Sequence, residues 1–227
     1  MEILLIRHGD PDYANDSLTP RGVDEARRLA TALQRLPLDR LYVSPLGRAL
    51  ETCAFTAQSK AMEPVALDWL RERGIKRGPV YLWEAPGEFF LRTERLPTQN
   101  NCFAPDSGAM PEGAEQFARV RAGFDALLAE HGYHRDGHGY RVQRSFDGRL
   151  ALFCHKGVIL TLLADVLHWA LPMVFVSLHI HPTGVTRLEM IEQAGFAHLK
   201  ALAINDLSHL GSTLNAPPIQ RARPAQV

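Results

Sequence analysis

Short apolar segments alternate with amphipathic segments along the first third of the chain. Residues 2–6 form an apolar run without alternation, which is typical of a strand buried on both faces. Thr19 and Pro20 provide a helix N-cap followed by proline at the first helical position, and Ser44 and Pro45 repeat this signal. The pattern predicts helices over 20–36 and 44–59, and strands over 2–6, 38–43 and 64–67.

The second half of the chain continues this alternation. A helix is predicted over 111–130, and an Asp147-Gly148 turn joins 140–146 to 149–154 in a predicted β-hairpin. A strongly apolar helix over 158–169 and strands over 185–191 and 196–204 follow. Strand and helix alternation of this kind predicts an α/β fold with a mostly parallel sheet flanked by helices on both faces.

Residues 71–111 interrupt the pattern with prolines, glycines and several aromatic side chains. A stretch of this length inside a compact domain is usually functional, so we predict an inserted subdomain over the active site. Two arginines of this segment, Arg92 and Arg95, are candidates for recognising a charged leaving group. Residues 1–214 are predicted to form one domain, and the Pro-rich residues 215–227 a mobile tail.

Composition narrows the function classes. The 227 residues are 46% apolar and 22% charged, and Lys plus Arg equal Asp plus Glu at 25 each. A net charge of zero argues against nucleic acid or an anionic membrane as the main partner. The three cysteines form neither a disulfide framework nor a metal-binding pattern, and no run is long enough for a signal peptide or a membrane span. We therefore expect a cytoplasmic protein.

Cationic and nucleophilic side chains follow three of the predicted strands. Arg7 and His8 end the first strand, Arg48 lies in the first turn of the helix after the second, and His155 follows the strand over 149–154. Ligands bind at the carboxyl ends of strands in open α/β sheets, where helix N-termini add unpaired N–H groups. Two arginines and two histidines at such a place suit a phosphate dianion.

The chain resembles the histidine phosphatase superfamily, which includes the phosphoglycerate-mutase-like enzymes. The motifs occur in the family's order from residue 3 to about 210, and the ordered set is far more specific than Arg-His-Gly alone. They are Arg7-His8-Gly9-Asp10, Leu18-Thr19-Pro20-Arg21-Gly22, Ser44-Pro45-Leu46-Gly47-Arg48-Ala49 with Thr52, Leu70-Arg71-Glu72, Gly113-Ala114-Glu115, His155-Lys156-Gly157-Val158, Gly184-Val185-Thr186-Arg187-Leu188 and Asn205-Asp206-Leu207-Ser208-His209-Leu210.

The resemblance implies a role for each matched position. His8 would attack phosphorus, and Arg7, Arg48 and His155 would bind the phosphoryl oxygens and stabilise the transition state. Glu72 would protonate the leaving oxygen and then activate water. The expected reaction is metal-independent hydrolysis of a small phosphorylated metabolite through a phosphohistidine, with no cofactor, on a phosphoglycerate-mutase-like fold.

Departures from the family pattern leave alternatives open. The Trp-Glu pair that often follows the acid directly comes late here, as Trp83-Glu84, so Glu84 competes with Glu72 as proton donor. The family's usual Asn six residues after the nucleophile is replaced by Ala14. Lys156 stands where Gly or Asn is more usual and adds a cation at the rim. Mutase-type phosphoryl transfer and non-catalytic binding of a phosphorylated ligand remain alternatives, and the oligomeric state, including a homodimer, is open.

Overall fold

A mixed β-sheet forms the centre of the protein in a computed structural model that describes residues 1–77, 80–84, 87–92, 96–104 and 111–211. Eight of the described strands form this sheet, and the others form two small hairpins. The strands are β1 (Glu2–Arg7), β2 (Pro11–Asp12), β3 (Ser17–Leu18), β4 (Arg40–Val43), β5 (Val65–Ala66), β6 (Lys76–Arg77), β7 (Val80–Tyr81), β8 (Tyr133–Asp136), β9 (Gly139–Val142), β10 (Arg149–Cys154), β11 (Val185–Gln193) and β12 (Phe196–Asp206).

Helices connect these strands and cover the sheet. Pro20–Leu33 begins as the sequence predicts, because the Thr19 hydroxyl accepts a hydrogen bond from the Gly22 N–H. The α-helices are α1 (Pro20–Leu33), α2 (Gly47–Lys60), α3 (Glu88–Leu91), α4 (Pro111–Glu130), α5 (Lys156–Val166) and α6 (Leu171–Ser177), with 3₁₀ helices at Asp68–Leu70, Leu82–Glu84 and Ser208–Leu210.

The large sheet has a parallel half and an antiparallel half. Its strand order is β5-β4-β10-β1-β11-β12-β9-β8, in which β5, β4, β10 and β1 run parallel to one another. The remaining strands, from β11 to β8, pair antiparallel. This arrangement makes the carboxyl ends of β4, β10 and β1 meet at one edge, together with the start of β11.

Side chains of β1 alternate between two hydrophobic layers, since successive strand residues point to opposite faces. Ile3 and Leu5 pack in the core that contains α4, α5 and α6. Leu4 and Ile6 pack in the second core, with residues of α1 and α2. The α/β class and the helices on both faces of the sheet are therefore confirmed.

The hairpin predicted around Asp147-Gly148 is wrong. The hairpin instead joins β8 to β9 through a turn at Gly137-His138, and β10 pairs parallel with both β1 and β4. Five of the six residues of β10 are buried. A strand with five buried apolar residues is stabilised more in the centre of the sheet than at a solvated hairpin edge, which explains why the turn at Asp147-Gly148 does not form a hairpin.

Two helix boundaries also differ from the prediction. Helix α2 begins at Gly47 rather than at Ser44-Pro45, and its N-cap, Leu46, makes no side-chain capping bond. The apolar helix ends at Val166, and the separate helix α6 follows it. The Pro-rich tail lies outside the described residues, as do 78–79, 85–86, 93–95 and 105–110 of the proposed insertion.

Candidate active site

Strand pairing brings the two histidines of the predicted site side by side. Arg7 is aligned with Cys154 in the parallel pair β1–β10, so the next residues along each strand are His8 and His155. The His8 N–H donates to the Cys154 carbonyl at 3.0 Å, and the two imidazole centroids lie 5.1 Å apart. The edge of the sheet therefore places both rings in one buried site.

The tautomer of His8 follows from its hydrogen bond. Nδ1 lies 2.7 Å from the Gly9 carbonyl, which only accepts, so Nδ1 carries the proton and Nε2 carries the lone pair. Burial lowers the pKa of His8 well below its ordinary value, and the charges of Arg7 and Arg48 add to this effect. The ring is thus neutral near pH 7, with the lone pair of Nε2 available.

Close packing holds the loop that presents His8. A Cβ at Gly9 would lie 2.7 Å from the Gly22 carbonyl oxygen, so helix α1 approaches this position too closely for a side chain. The Gly9 N–H donates to the Thr52 hydroxyl of α2 at 3.0 Å. Both helices of one sheet face therefore fix the backbone next to His8.

His155 is fully buried and bonded to Ser44, the residue after β4. Its Nε2 lies 2.7 Å from the Ser44 hydroxyl, which also accepts the Leu46 N–H at 3.4 Å. In the tautomer whose Nε2 accepts the Ser44 hydroxyl, a neutral His155 carries its proton on Nδ1, which is buried and has no partner among the described residues. The pKa of His155 is well below its ordinary value because of burial and the nearby His8 and arginines.

A hydrogen bond to a protein oxygen orients each of the two arginines. Arg7 donates through Nη1 to the Ile180 carbonyl at 2.6 Å, and Arg48 donates through Nη1 to Asp16 Oδ1 at 2.5 Å. Asp16 is itself fixed by the Gly47 N–H at 2.7 Å. One Nη of each guanidinium is thereby anchored, which orients the planar group at little further entropic cost when it binds an oxyanion.

Glu72 lies at the N-terminus of α5, although two charged neighbours in the sequence favour a solvated turn. Its Oε2 accepts the Gly157 N–H at 3.3 Å, and its Oε1 is buried without a described partner. Burial raises the pKa of Glu72 to about 7, opposed by that N–H and by the charges of Arg7, Arg48 and Lys156. A carboxyl that titrates near neutrality can both donate and accept a proton.

The competing acid, Glu84, ends the 3₁₀ helix Leu82–Glu84, and its side chain lies outside the described residues. Two of the insertion's aromatic residues are placed by packing: Phe90 is buried in the core, and Trp83 stacks on Tyr81 at 4.7 Å. Arg92 is exposed near Glu88, and Arg95 falls outside the described residues. The prediction that this segment selects the substrate stays a prediction.

We expect Gly157→Ala to lower activity without unfolding the protein. A Cβ at this position would lie 2.4 Å from Glu72 Oε1, so the flexible carboxyl must move rather than the helix. A displacement of about 1 Å at a reacting group lowers kcat roughly 10- to 100-fold. Steady-state kinetics and urea unfolding measure the two effects.

The matched control for that substitution is Gly87→Ala, where the nearest described atom to an added Cβ is Leu91 Cδ1 at 3.4 Å. The control keeps wild-type kcat. If Gly157→Ala also keeps wild-type kcat, or loses activity only in proportion to folded protein, the contact between Gly157 and Glu72 has no catalytic consequence.

Sequence reasoning missed several residues at this edge. Tyr13 is 68% exposed, with its ring 5.4 Å from the Arg48 guanidinium carbon and its hydroxyl beside Arg7. The segment before β11 also reaches the site, because the Thr183 N–H donates to the His8 carbonyl at 3.1 Å. Antiparallel β11 begins where β1 ends, a fact of pairing that no local pattern in the sequence reveals.

Among the described residues, buried polar atoms without hydrogen-bond partners are concentrated at this site. In the described part of the chain, six buried side-chain nitrogen or oxygen atoms have no hydrogen-bond partner, and four belong to the predicted site. These four are Arg7 Nε, Arg48 Nε, His155 Nδ1 and Glu72 Oε1. Buried polar atoms are normally hydrogen-bonded, so a cluster of three donors and one carboxyl oxygen points to a polar ligand.

A family model decides the relationship of this chain to known proteins. The model of the histidine phosphatase superfamily (branch 1) matches residues 3–202. The chain belongs to this superfamily. The family match confirms the resemblance inferred from the ordered motifs. A search of curated protein sequences gives no match.

Solved structures of three phosphatases share the fold. A phosphoserine phosphatase from Entamoeba histolytica, in complex with 3-phosphoglyceric acid, is 21% identical and covers 92% of this chain and 98% of its own, with a TM-score of 0.61. A mycobacterial glucosyl-3-phosphoglycerate phosphatase is 21% identical over 90% of this chain and 98% of its own, with a TM-score of 0.61. An alpha-ribazole phosphatase from Shigella flexneri is 21% identical and covers 91% of this chain and 96% of its own, with a TM-score of 0.58.

Two further findings concern metals and membranes. Within the described ranges, no three His, Cys, Asp or Glu side chains are grouped so that they could hold a metal ion. Across the same ranges, no helix combines the length and apolar character required to cross a membrane.

Proposed function

We propose that this superfamily member is a metal-independent phosphatase that hydrolyses a small phosphomonoester through a phosphohistidine on His8. The observation that carries the proposal is the set of buried donors without partners, Arg7 Nε, Arg48 Nε and His155 Nδ1, around the neutral His8 ring. Fixed cations and N–H donors of this kind stabilise the charge on a transferring phosphoryl group without a metal.

In the first half of the reaction, His8 Nε2 attacks phosphorus while the ester P–O bond breaks. Glu72, protonated near neutral pH, gives its proton to the departing oxygen, so the leaving group departs as an alcohol. The guanidinium groups of Arg7 and Arg48 bind the phosphoryl oxygens through both states.

In the second half, the Glu72 carboxylate takes a proton from water as the water oxygen attacks phosphorus. The P–N bond breaks, inorganic phosphate forms, and the electron pair returns to His8 Nε2. Glu72 is protonated again at the end, so each group recovers its starting state. The solved neighbours are phosphatases by name, which favours water over a second alcohol as acceptor.

Two assays on the full chain test this function. We expect release of p-nitrophenol from p-nitrophenyl phosphate that persists in EDTA, and release of inorganic phosphate from at least one phosphorylated metabolite. Faster isomerisation of 3-phosphoglycerate, primed by 2,3-bisphosphoglycerate, than phosphate release would identify a mutase instead. Tight binding of inorganic phosphate without any turnover would identify a non-catalytic binder.

A further inference from the structure

Residues 179–183, which precede β11, form a second wall of the site. The Ile180 carbonyl accepts the Arg7 guanidinium, and the Ile180 side chain is fully buried. The neighbouring His179 and His181 place their rings 4.4 Å apart in an edge-to-face arrangement. Because Thr183 also bonds the His8 carbonyl, this wall is held against both Arg7 and His8. Neither histidine has a role in the proposed reaction.

Asn205, near the end of β12, determines the tautomer of His181. Its Oδ1 accepts the His181 backbone N–H at 2.7 Å, so its Nδ2 is the group that faces His181 Nδ1 at 2.9 Å. An amide nitrogen only donates, so Nδ1 of His181 accepts and the ring proton lies on Nε2. No described residue hydrogen-bonds that Nε2–H, which makes it a fixed donor on the residue next to Ile180, whose carbonyl binds Arg7.

Lys156 adds a cation at the same edge of the sheet. It is the first residue of α5, directly after His155, and its charge acts on both wall histidines and on Glu72. Burial, Lys156 and His181 together lower the pKa of His179 to about 4, and the pKa of His181 is also lowered, chiefly by burial. The two imidazoles are therefore neutral near pH 7, while Lys156 supplies the charge.

The reaction geometry places this pair on the side of the leaving group. Glu72 must lie close to the ester oxygen in order to protonate it, and Lys156 directly precedes Gly157, whose N–H donates to Glu72 Oε2 at 3.3 Å. The part of the substrate attached to that oxygen thus extends towards Lys156 and His181. An ammonium beside an N–H donor forms charge-assisted hydrogen bonds with carboxylate or phosphate oxygens.

We propose that Lys156 and His181 form a leaving-group subsite, and that the substrate is a phosphomonoester whose leaving group carries an oxyanion. This inference rests on the proposed function, because the subsite is defined by the ester oxygen that Glu72 protonates. Asn205 is a positioning residue, since it acts through His181.

Ligand pairs that differ only in the leaving group test the subsite. 3-Phosphoglycerate and glycerol 3-phosphate share a skeleton and differ in a carboxylate, and propane-1,3-diol bisphosphate carries a second phosphate. Calorimetry on His8→Ala protein measures each Kd without turnover. We expect at least one oxyanion ligand to bind about tenfold more tightly than glycerol 3-phosphate, as a charged hydrogen bond contributes. The tighter of the two identifies the oxyanion.

Lys156→Met in the same background should reduce that preference to about twofold or less, since the charge-assisted bond is lost. Lys200→Met, at an exposed position of β12, is the matched control and should keep the preference. Either of two results would overturn the subsite. One is equal Kd values for glycerol 3-phosphate and the oxyanion ligands before substitution, and the other is a preference that Lys156→Met leaves unchanged. Because no turnover is measured, a chain with this preference but no phosphatase activity would refute the proposed function and leave the subsite standing.

Asn205→Asp tests whether Asn205 positions the His181 ring, and it leaves Lys156 unchanged. A carboxylate keeps the acceptor for the His181 N–H but cannot donate to Nδ1, so the ring proton should move from Nε2 to Nδ1. Long-range nitrogen–proton NMR correlations report the tautomer, and His181→Phe assigns the signals. We expect the Nε2–H form in wild type and the Nδ1–H form in the variant. An Nδ1–H ring in wild type would overturn the assignment of His181 as the donor.

Discussion

Replacing His8 with alanine is expected to abolish the phosphoenzyme and to lower kcat roughly 10⁴-fold or more, because the covalent route is lost. The ring is buried, neutral and held with its Nε2 lone pair free of the Gly9 hydrogen bond. Wild type quenched during turnover of a radiolabelled phosphomonoester should carry a label that is labile to acid and stable to alkali. This stability pattern distinguishes a phosphohistidine from a phosphoserine.

His198→Ala, an exposed histidine on β12, is the matched control and should label as wild type does. His155→Ala is expected to label slowly, since it removes a donor to phosphoryl oxygens rather than the nucleophile. Persistent labelling of His8→Ala would show that the nucleophile is another residue, and a comparison with His155→Ala would test the neighbouring ring directly.

Glu72→Gln is expected to have the second largest effect, a fall in kcat of about 10²–10⁴-fold for an alkyl phosphomonoester. An alkoxide leaves poorly without a proton, whereas p-nitrophenolate needs little protonation. The variant should therefore form the phosphoenzyme from p-nitrophenyl phosphate and then accumulate it, because the base that activates water is missing. A burst of p-nitrophenol followed by slow turnover would show this in stopped-flow measurements.

Glu84→Gln is the competing variant, and we expect it to show neither the burst nor the large loss. The reverse outcome, with Glu84→Gln impaired and Glu72→Gln active, would transfer the proton-donor role to Glu84. Both substitutions replace a carboxylate by a neutral group of the same shape, so any difference between them reports the position of the acid.

The pH dependence follows from the same carboxyl. Because the acid must be protonated and its pKa is raised to about 7, kcat/KM for an alkyl ester should fall above that pH. The low pKa of His8 keeps the nucleophile neutral on the acid side of this limit. Glu72→Gln should remove the alkaline limb, and a limb that persists in the variant would belong to another group.

The raised pKa of Glu72 should also make the free energy of unfolding depend on pH. Between the ordinary value of 4.5 and about 7, the unfolded chain loses the Glu72 proton while the folded protein keeps it. Wild type is therefore destabilised relative to Glu72→Gln as pH rises through this window, by about 3 kcal/mol at most, and the difference is constant above it. Urea unfolding at several pH values measures the free energy of unfolding of both proteins.

The sequence by itself determined the features that depend on neighbours along the chain. The Thr19 cap begins α1, helix α4 has its predicted bounds, and Arg48 lies in the first turn of α2. The residues that follow β1 and β10 also come from local reasoning, since an apolar run followed by a polar residue and a helix marks a strand end wherever the strand pairs. The ordered motifs then gave the family.

Only the tertiary structure decided what depends on strand pairing and burial. Strand β10 lies between β1 and β4 because its apolar residues gain more from the centre of the sheet than from the hairpin that its turn favours. Glu72 acquires its raised pKa only through burial in the folded chain, where it lies against Gly157, a residue distant in sequence whose N–H opposes the shift. His181 and Asn205 reach the site because antiparallel strands begin and end at the edge where the parallel strands finish. Such contacts join residues far apart in the chain, so no local pattern encodes them.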